Sequence, residues 1–225
     1  SVSLLILACS VVGSVLLWPV FSEAQSDPRH DLVIRQMGGI GNAIQRYRTL
    51  RGHYTVAFAT DRKGNPTCRW RVGIAPHLPT EHPFQRQDLT QLWDSEFNVR
   101  LGQRIPDVFV SPLVTNPPTA TETHVFSVRD PSIILRAEAV EDAATLENGM
   151  SDGLSVAYLP NHTTHWAAPV DITLKHLQDE VFTATPESPV VLLFADGKIL
   201  PLNVSVDPEI EGFVVARRSK SSIRP

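Results

Sequence analysis

The residues best equipped for chemistry are a few histidines and acids. His162 and His165 form an H-x-x-H pair beside Trp166. On a helix, positions i and i+3 share a face, so two such imidazoles could hold one metal ion. Pro160-Asn161 before the pair and Pro169 after it read instead as a loop. No nearby cysteine or third histidine completes a site, and the pair reads as surface histidines. Glu138, Glu141, Asp142, Glu147 and Asp152 make an acidic stretch with no basic residue between them. Oxygen-rich loops bind Ca²⁺, but the ordered D-x-D-x-D-G spacing of an EF-hand is missing. A solvated acidic face is the expectation, with Ca²⁺ the one cofactor the composition suggests and no other expected. There is no H-E-x-x-H and no Walker loop. Gly39-Ile40-Gly41 lacks the third glycine of a dinucleotide fingerprint and follows no strand. Asn161-His162-Thr163 and Asn203-Val204-Ser205 fit the glycosylation sequon.

These side chains need elements to position them. Val33, Met37, Ile40, Ile44 and Tyr47 recur at steps of four, three, four and three, one face of a helix. Asp27-Pro28 suits its cap and first turn, and Gly52 its stop. Gly38, Gly39 and Gly41 each cost up to ~1 kcal/mol inside a helix, or mark a close approach to its backbone. Residues 54–59 form a short apolar run, and 61–66 a turn cluster. Residues 68–74 alternate as a strand or short helix would, and 89–101 read as helical in part. Strands are expected at 108–110, 124–128, 132–139 and 154–159, with a proline-rich loop over 112–118. Asp196-Gly197 between apolar runs at 190–194 and 199–204 predicts a hairpin with a tight primed turn. Short strands after one helix indicate an α+β fold and not alternating βαβ units.

Residues 1–22 carry no charge. As a helix, residues 1–21 would span about 31 Å, close to a ~30 Å hydrocarbon core. Trp18 and Phe21 suit the membrane interface, and Pro19 would kink or end the helix. The same segment is compatible with a cleaved export signal, since Ser22-Glu23-Ala24 offers small residues before Gln25. A lipid anchor at Leu7-Ala8-Cys9 is a third reading. All three send the remainder out of the cytoplasm. Cys9 and Cys68 then lie apart, and no intramolecular disulfide is expected.

The chain has 225 residues, enough for one sizeable domain with an appendage. Its two cysteines exclude a disulfide framework and a four-cysteine zinc site. Eighteen prolines point to many turns. The net charge is -4, which provides no basic field for nucleic acid. Arg217, Arg218, Lys220 and Arg224 place four of the 20 basic residues in the last ten positions, without an acid. The sequence thus divides into an anchor or signal at 1–24, one head domain at 25–215 and a basic tail at 216–225. Outside the tail, 16 basic residues face 24 acidic ones.

One ordered set of motifs rises above this background. It runs through Cys68-Arg69-Trp70-Arg71-Val72, Leu92-Trp93-Asp94-Ser95-Glu96-Phe97-Asn98 and Pro106-Asp107-Val108-Phe109-Val110-Ser111-Pro112. It continues with Met150-Ser151-Asp152-Gly153, Trp166-Ala167-Ala168-Pro169 and Phe194-Ala195-Asp196-Gly197. In this order the chain resembles the planctomycete-type bacterial family of pilin-like proteins catalogued as domain of unknown function 1559, related to type II secretion pseudopilins. The resemblance covers most of the chain, from Ile34 to Asp207. Ser111 stands where the family usually has cysteine, and Ile34 where its helix carries an early one. The resemblance implies that this departure removes a disulfide pair. With Pro19 on the pilin-helix proline, Val2 takes the place of the glutamate near the start of a mature pilin helix.

The resemblance implies a pilin-like fold: a long N-terminal helix, part membrane-embedded and part amphipathic, packed on an antiparallel sheet with irregular insertions. It implies structural roles for Trp70, Trp93, Asp94, Ser95, Asn98, Pro112, Asp152, Gly153, Trp166, Asp196 and Gly197. Read physically, Trp93 is a large apolar anchor and Asp94 a cap for a helix running through Asn98 and Leu101. The expected function is a membrane-anchored or filament-forming structural or interaction protein of the cell envelope, without catalysis. Its head would face the periplasm or exterior, and its partners would be the membrane and other pilin-like subunits. The alternatives are an exported soluble binding module and an exported hydrolase built on His162, His165 and the 138–152 acids.

Overall fold

Asp27 opens the first helix: its side chain accepts from the Arg29 backbone N–H, and Pro28 occupies the first turn. This helix, α1 (Pro28–Arg51), ends at Gly52, whose φ of 79° gives a left-handed cap that donates to the Arg48 carbonyl. The computed structural model describes residues 27–55, 58–60, 66–79, 91–114, 121–129 and 154–202. The expected segments 1–24 and 216–225, the strand at 132–139 and the acids at 138–152 lie outside the described residues. Among the described residues no helix is long and apolar enough to cross a membrane.

The chain continues through a short hairpin, β1 (Phe58–Thr60) with β2 (Pro66–Arg69), directly into helix α2 (Trp70–Ile74). Residues 68–74 are thus strand and helix in succession. A 3-10 turn follows at Ala75–His77, then α3 (Glu96–Gly102) and a second 3-10 turn at Asp107–Phe109. The strand expected at 108–110 is absent; three apolar residues carry too little periodicity to separate a strand from a tight turn. The remaining elements are β3 (Glu122–Thr123), β4 (Val125–Arg129), β5 (Leu154–Tyr158), β6 (Thr164–His165), β7 (Ile172–Thr173), α4 (Leu174–Phe182), β8 (Val190–Phe194) and β9 (Ile199–Leu202).

Five strands form one sheet in the order β7-β4-β5-β8-β9. Its inner pairings are antiparallel, with Val125 opposite Tyr158, Ala157 opposite Leu192 and Val190 opposite Leu202. The edge strand β7 pairs with β4 in parallel, so the expected antiparallel sheet is mixed at this edge. β3 and β6 make a separate two-stranded ladder. The architecture is α+β, a helix packed on a largely antiparallel sheet.

Both faces of the sheet are covered, and the two-residue period of a strand sorts its side chains between them. Val125, Val156, Tyr158, Val191 and Leu193 face α1, where they meet Val33, Met37, Ile40 and Ile44. Phe126, Ala157, Leu159, Val190, Leu192 and Phe194 face the other way, toward Leu177 of α4 and Ala184. This explains why 190–194 is a continuous apolar run: every residue of β8 is buried. Each fully buried Val, Leu, Ile or Met contributes roughly 1.5–3 kcal/mol relative to exposure.

The helix glycines lie where α1 meets its neighbours. A Cβ at Gly41 would stand 3.2 Å from Leu193 Cδ1, so the residue allows β8 to approach closely. The β8–β9 hairpin forms as the Asp-Gly signal predicts, but its loop differs from a two-residue primed turn. Gly197 alone takes a positive φ, 87°, while Asp196 does not. The Gly197 N–H donates to the Phe194 carbonyl and the Phe194 N–H to the Lys198 carbonyl. This is the three-residue connection that closes with a left-handed glycine. The Asp196 carboxylate accepts from the Lys198 N–H at 2.8 Å and fixes the loop.

Candidate functional site

Among the described residues, side chains with chemical capacity gather in two places, and the first is a fully buried knot at α2. Trp70 and Trp166 have no exposed surface and sandwich Phe109, edge-on at 6.1 Å and stacked at 6.0 Å respectively. The Trp166 Nε1–H donates to the Gly102 carbonyl at the end of α3. Between the rings and the sheet lies Arg71, also fully buried. Its Nε donates to the Val125 carbonyl at 2.8 Å. Its terminal nitrogens donate to the carbonyls of Trp166, Ala168 and Val170 at 3.5, 3.3 and 3.2 Å. The Asp171 carboxylate lies 3.9 Å away and accepts from Trp70 Nε1 and the Ser127 N–H. A planar fork with five donors is suited to this place, since one charged group satisfies the backbone of an irregular buried stretch. The motif residues here hold the 166–171 segment against the sheet. Their polar atoms face inward, to backbone carbonyls and to the Asp171 carboxylate.

At α3 the capping residue is Ser95, whose hydroxyl accepts from the Asn98 N–H at 3.3 Å. Asp94 is exposed and does not cap, which corrects the sequence expectation by one residue. The reason is local: the side chain three residues before the donating Asn98 amide reaches it, and that is Ser95. Asn98 is buried and donates to the Leu92 carbonyl, tying the helix to its lead-in. Trp93 is only half-buried, packing 5.6 Å from the His165 ring. Trp70 and Trp166, and not Trp93, are the apolar anchors. Ser111 and Pro112 are half-buried; the Ser111 hydroxyl pairs with the Tyr158 hydroxyl at 2.5 Å. Burial pushes the Tyr158 phenol up to about 12 despite that hydrogen bond. Asp196 and Gly197 serve the hairpin, and Asp152 and Gly153 lie outside the described residues.

The second gathering lies on the far side of the sheet. Thr173 caps α4, its hydroxyl accepting from the His176 N–H. That sets the helix register, and His176 and Glu180, one turn apart, share a face. The turn leaving β5 closes with the His162 N–H donating to the Leu159 carbonyl. It delivers His162 to the same spot. The two imidazoles meet edge to face with centroids 4.3 Å apart and Nε2 atoms 2.6 Å apart. Glu180 Oε1 lies 3.2 Å from His162 Nδ1. All three residues are half-buried.

His162 and His165 are thus not partners. The loop expected around them is present, but His165 sits in β6 with its ring against Trp93 and its Nδ1 accepting from the Ala167 N–H. Burial pushes its imidazole below the ordinary histidine range, and the nearby Arg71 charge pushes the same way. Nor is His162 a plain surface histidine, since a third histidine does complete a group with it. His176 comes fourteen residues later, beyond any local motif window, and α4 was not among the elements read from the sequence. The signals for it are present: Thr173 as cap, then Leu174, Leu177 and Val181 at helical spacing.

Gly149-Met150-Ser151-Asp152-Gly153 spells G-x-S-x-G, the sequence of a nucleophile elbow. That elbow requires a strand before the serine and a helix after it. Here a strand, β5, begins directly after the second glycine, so the required order is not met. Comparison with protein-family models, curated proteins and solved structures yields no match to this chain.

Proposed function

We propose that this protein is a pilin-like structural or interaction protein of the bacterial cell envelope, held by residues 1–24 and presenting an outward head. The observation that carries the reading is the order of parts. An uncharged apolar segment precedes a 24-residue helix, and that helix packs its apolar stripe on one face of a mainly antiparallel sheet. The motif residues support the same reading, because Trp70, Arg71, Ser95, Asn98, Trp166 and Gly197 are all spent on packing, capping and turns. The head acts through its surface and through self-association or association with other pilin-like subunits, not through turnover of a substrate.

Fractionation with N-terminal sequencing tests this. The full chain should enter the membrane fraction with residues 1–24 retained, and deleting them should release the head. A soluble mature protein beginning at Gln25 would instead support an exported binding module.

A further inference from the structure

The cluster of His162, His176 and Glu180 has no part in the envelope reading. Among the described residues it is the one grouping of three metal-capable side chains, each offering a ligand atom within 4.8 Å of the others. Three features favour an ion over a self-contained hydrogen-bond network. First, a proton shared by the two Nε2 atoms uses only one nitrogen of each ring. Second, His162 Nδ1 and Glu180 Oε2 are buried and have no hydrogen-bond partner, although Glu180 Oε1 approaches His162 Nδ1 without alignment. Lone pairs left over in this way are what a cation would take up. Third, the ligands come from a helix turn and a tight β-turn, both held by backbone hydrogen bonds, so the site is largely preformed.

We propose that these three residues form a mononuclear site for a divalent transition metal of the Zn²⁺ class. Two imidazole nitrogens and one carboxylate oxygen suit zinc and its neighbours; calcium and magnesium take oxygen-only sets. Three protein ligands leave a fourth tetrahedral position for water or an incoming donor. Zinc–nitrogen bonds of ~2.0–2.1 Å at a tetrahedral angle put the two nitrogens about 3.3 Å apart. On His162 the ligand atom is the unpartnered Nδ1, which already stands 3.2 Å from Glu180 Oε1, so the Nε2–Nε2 contact gives way by ring rotation when the ion enters. The ion would fasten the 159–162 turn to α4, adding to the apolar cluster that Leu159 and Leu177 already share.

The test uses the full chain without a histidine tag, stripped with a chelator and dialysed against Zn²⁺. Metal content is read by mass spectrometry, and the coordination by the visible spectrum after loading Co²⁺ instead. About one equivalent should bind, excess Ca²⁺ should not displace it, and Co²⁺ should give the intense bands of a four-coordinate site. His176→Ala and Glu180→Gln should each lower affinity by more than about tenfold, the least that disturbing even an outer partner of a metal costs. His77→Ala, on the other side of the molecule, should change nothing. Far-UV circular dichroism of the metal-free variants establishes that they fold; should His176→Ala fail, the near-isosteric Glu180→Gln stands as the test. A folded wild type that binds no Zn²⁺, or a folded Glu180→Gln with wild-type affinity and an unchanged Co²⁺ spectrum, would overturn the proposal.

Discussion

Replacing Arg71 with methionine tests whether the buried knot holds the fold as its geometry implies. Methionine keeps an unbranched apolar stem, two atoms shorter, and removes the charge and all five donors. Four carbonyls, those of Val125, Trp166, Ala168 and Val170, lose a charged donor, and Asp171 loses its nearest cation. Hydrogen bonds from a charged group contribute about 1.5–3 kcal/mol each, though not additively. Breaking one side of a buried pair costs about 3–5 kcal/mol, against a total stability of about 5–15 kcal/mol. We take about 4 kcal/mol as the expected loss. Urea titration of the full chain followed by circular dichroism reads this directly. With a slope of ~2 kcal/mol per molar, the midpoint should fall by roughly 2 M. Arg71→Lys should fall between, because a point charge cannot reproduce the fork. A midpoint within about 0.5 M of wild type for Arg71→Met would refute the reasoning, for it would mean the carbonyls find other donors.

Two further outcomes follow from the same structure. Ser95→Ala should cost about 0.5–2 kcal/mol in the same titration while Asp94→Ala stays within about 0.5 kcal/mol; the reverse order would return the cap to Asp94. Tyr158 predicts an alkaline transition. Its folded phenol is raised to about 12 from 10.0, so its contribution is complete below pH 10 and lost as the pH climbs toward 12. Two pKa units correspond to about 3 kcal/mol, read as the difference between wild type and Tyr158→Phe across that range. Equal pH dependence of the two proteins would contradict the burial argument.

How much of this was legible in the sequence depends on how local each signal is. α1 could be read because cap, apolar stripe and glycine stop all lie within one segment and agree. The β8–β9 hairpin could be read for the same reason, although Asp-Gly alone does not separate a two-residue turn from the three-residue loop that Gly197 closes. Val108–Val110 misled because a three-residue apolar run has no period. Trp93 misled because size predicts burial only on average, and its neighbour His165 leaves it half open. The His162–His176–Glu180 group was hidden twice over. His176 and Glu180 have helical spacing, which is informative only once α4 is recognised. His162 reaches them only after the sheet has brought the β5 turn beside that helix.

The central claim is that the head is carried at the envelope by the apolar segment before α1. The most direct measurement is electron microscopy of the membrane fraction from cells making the full chain and from cells making residues 25–225, with antibody against the head. We expect label on the outer face of membranes or on filaments for the full chain, and loss of that label on deletion. Equal envelope labelling with and without residues 1–24, or label confined to soluble material for the full chain, would contradict it.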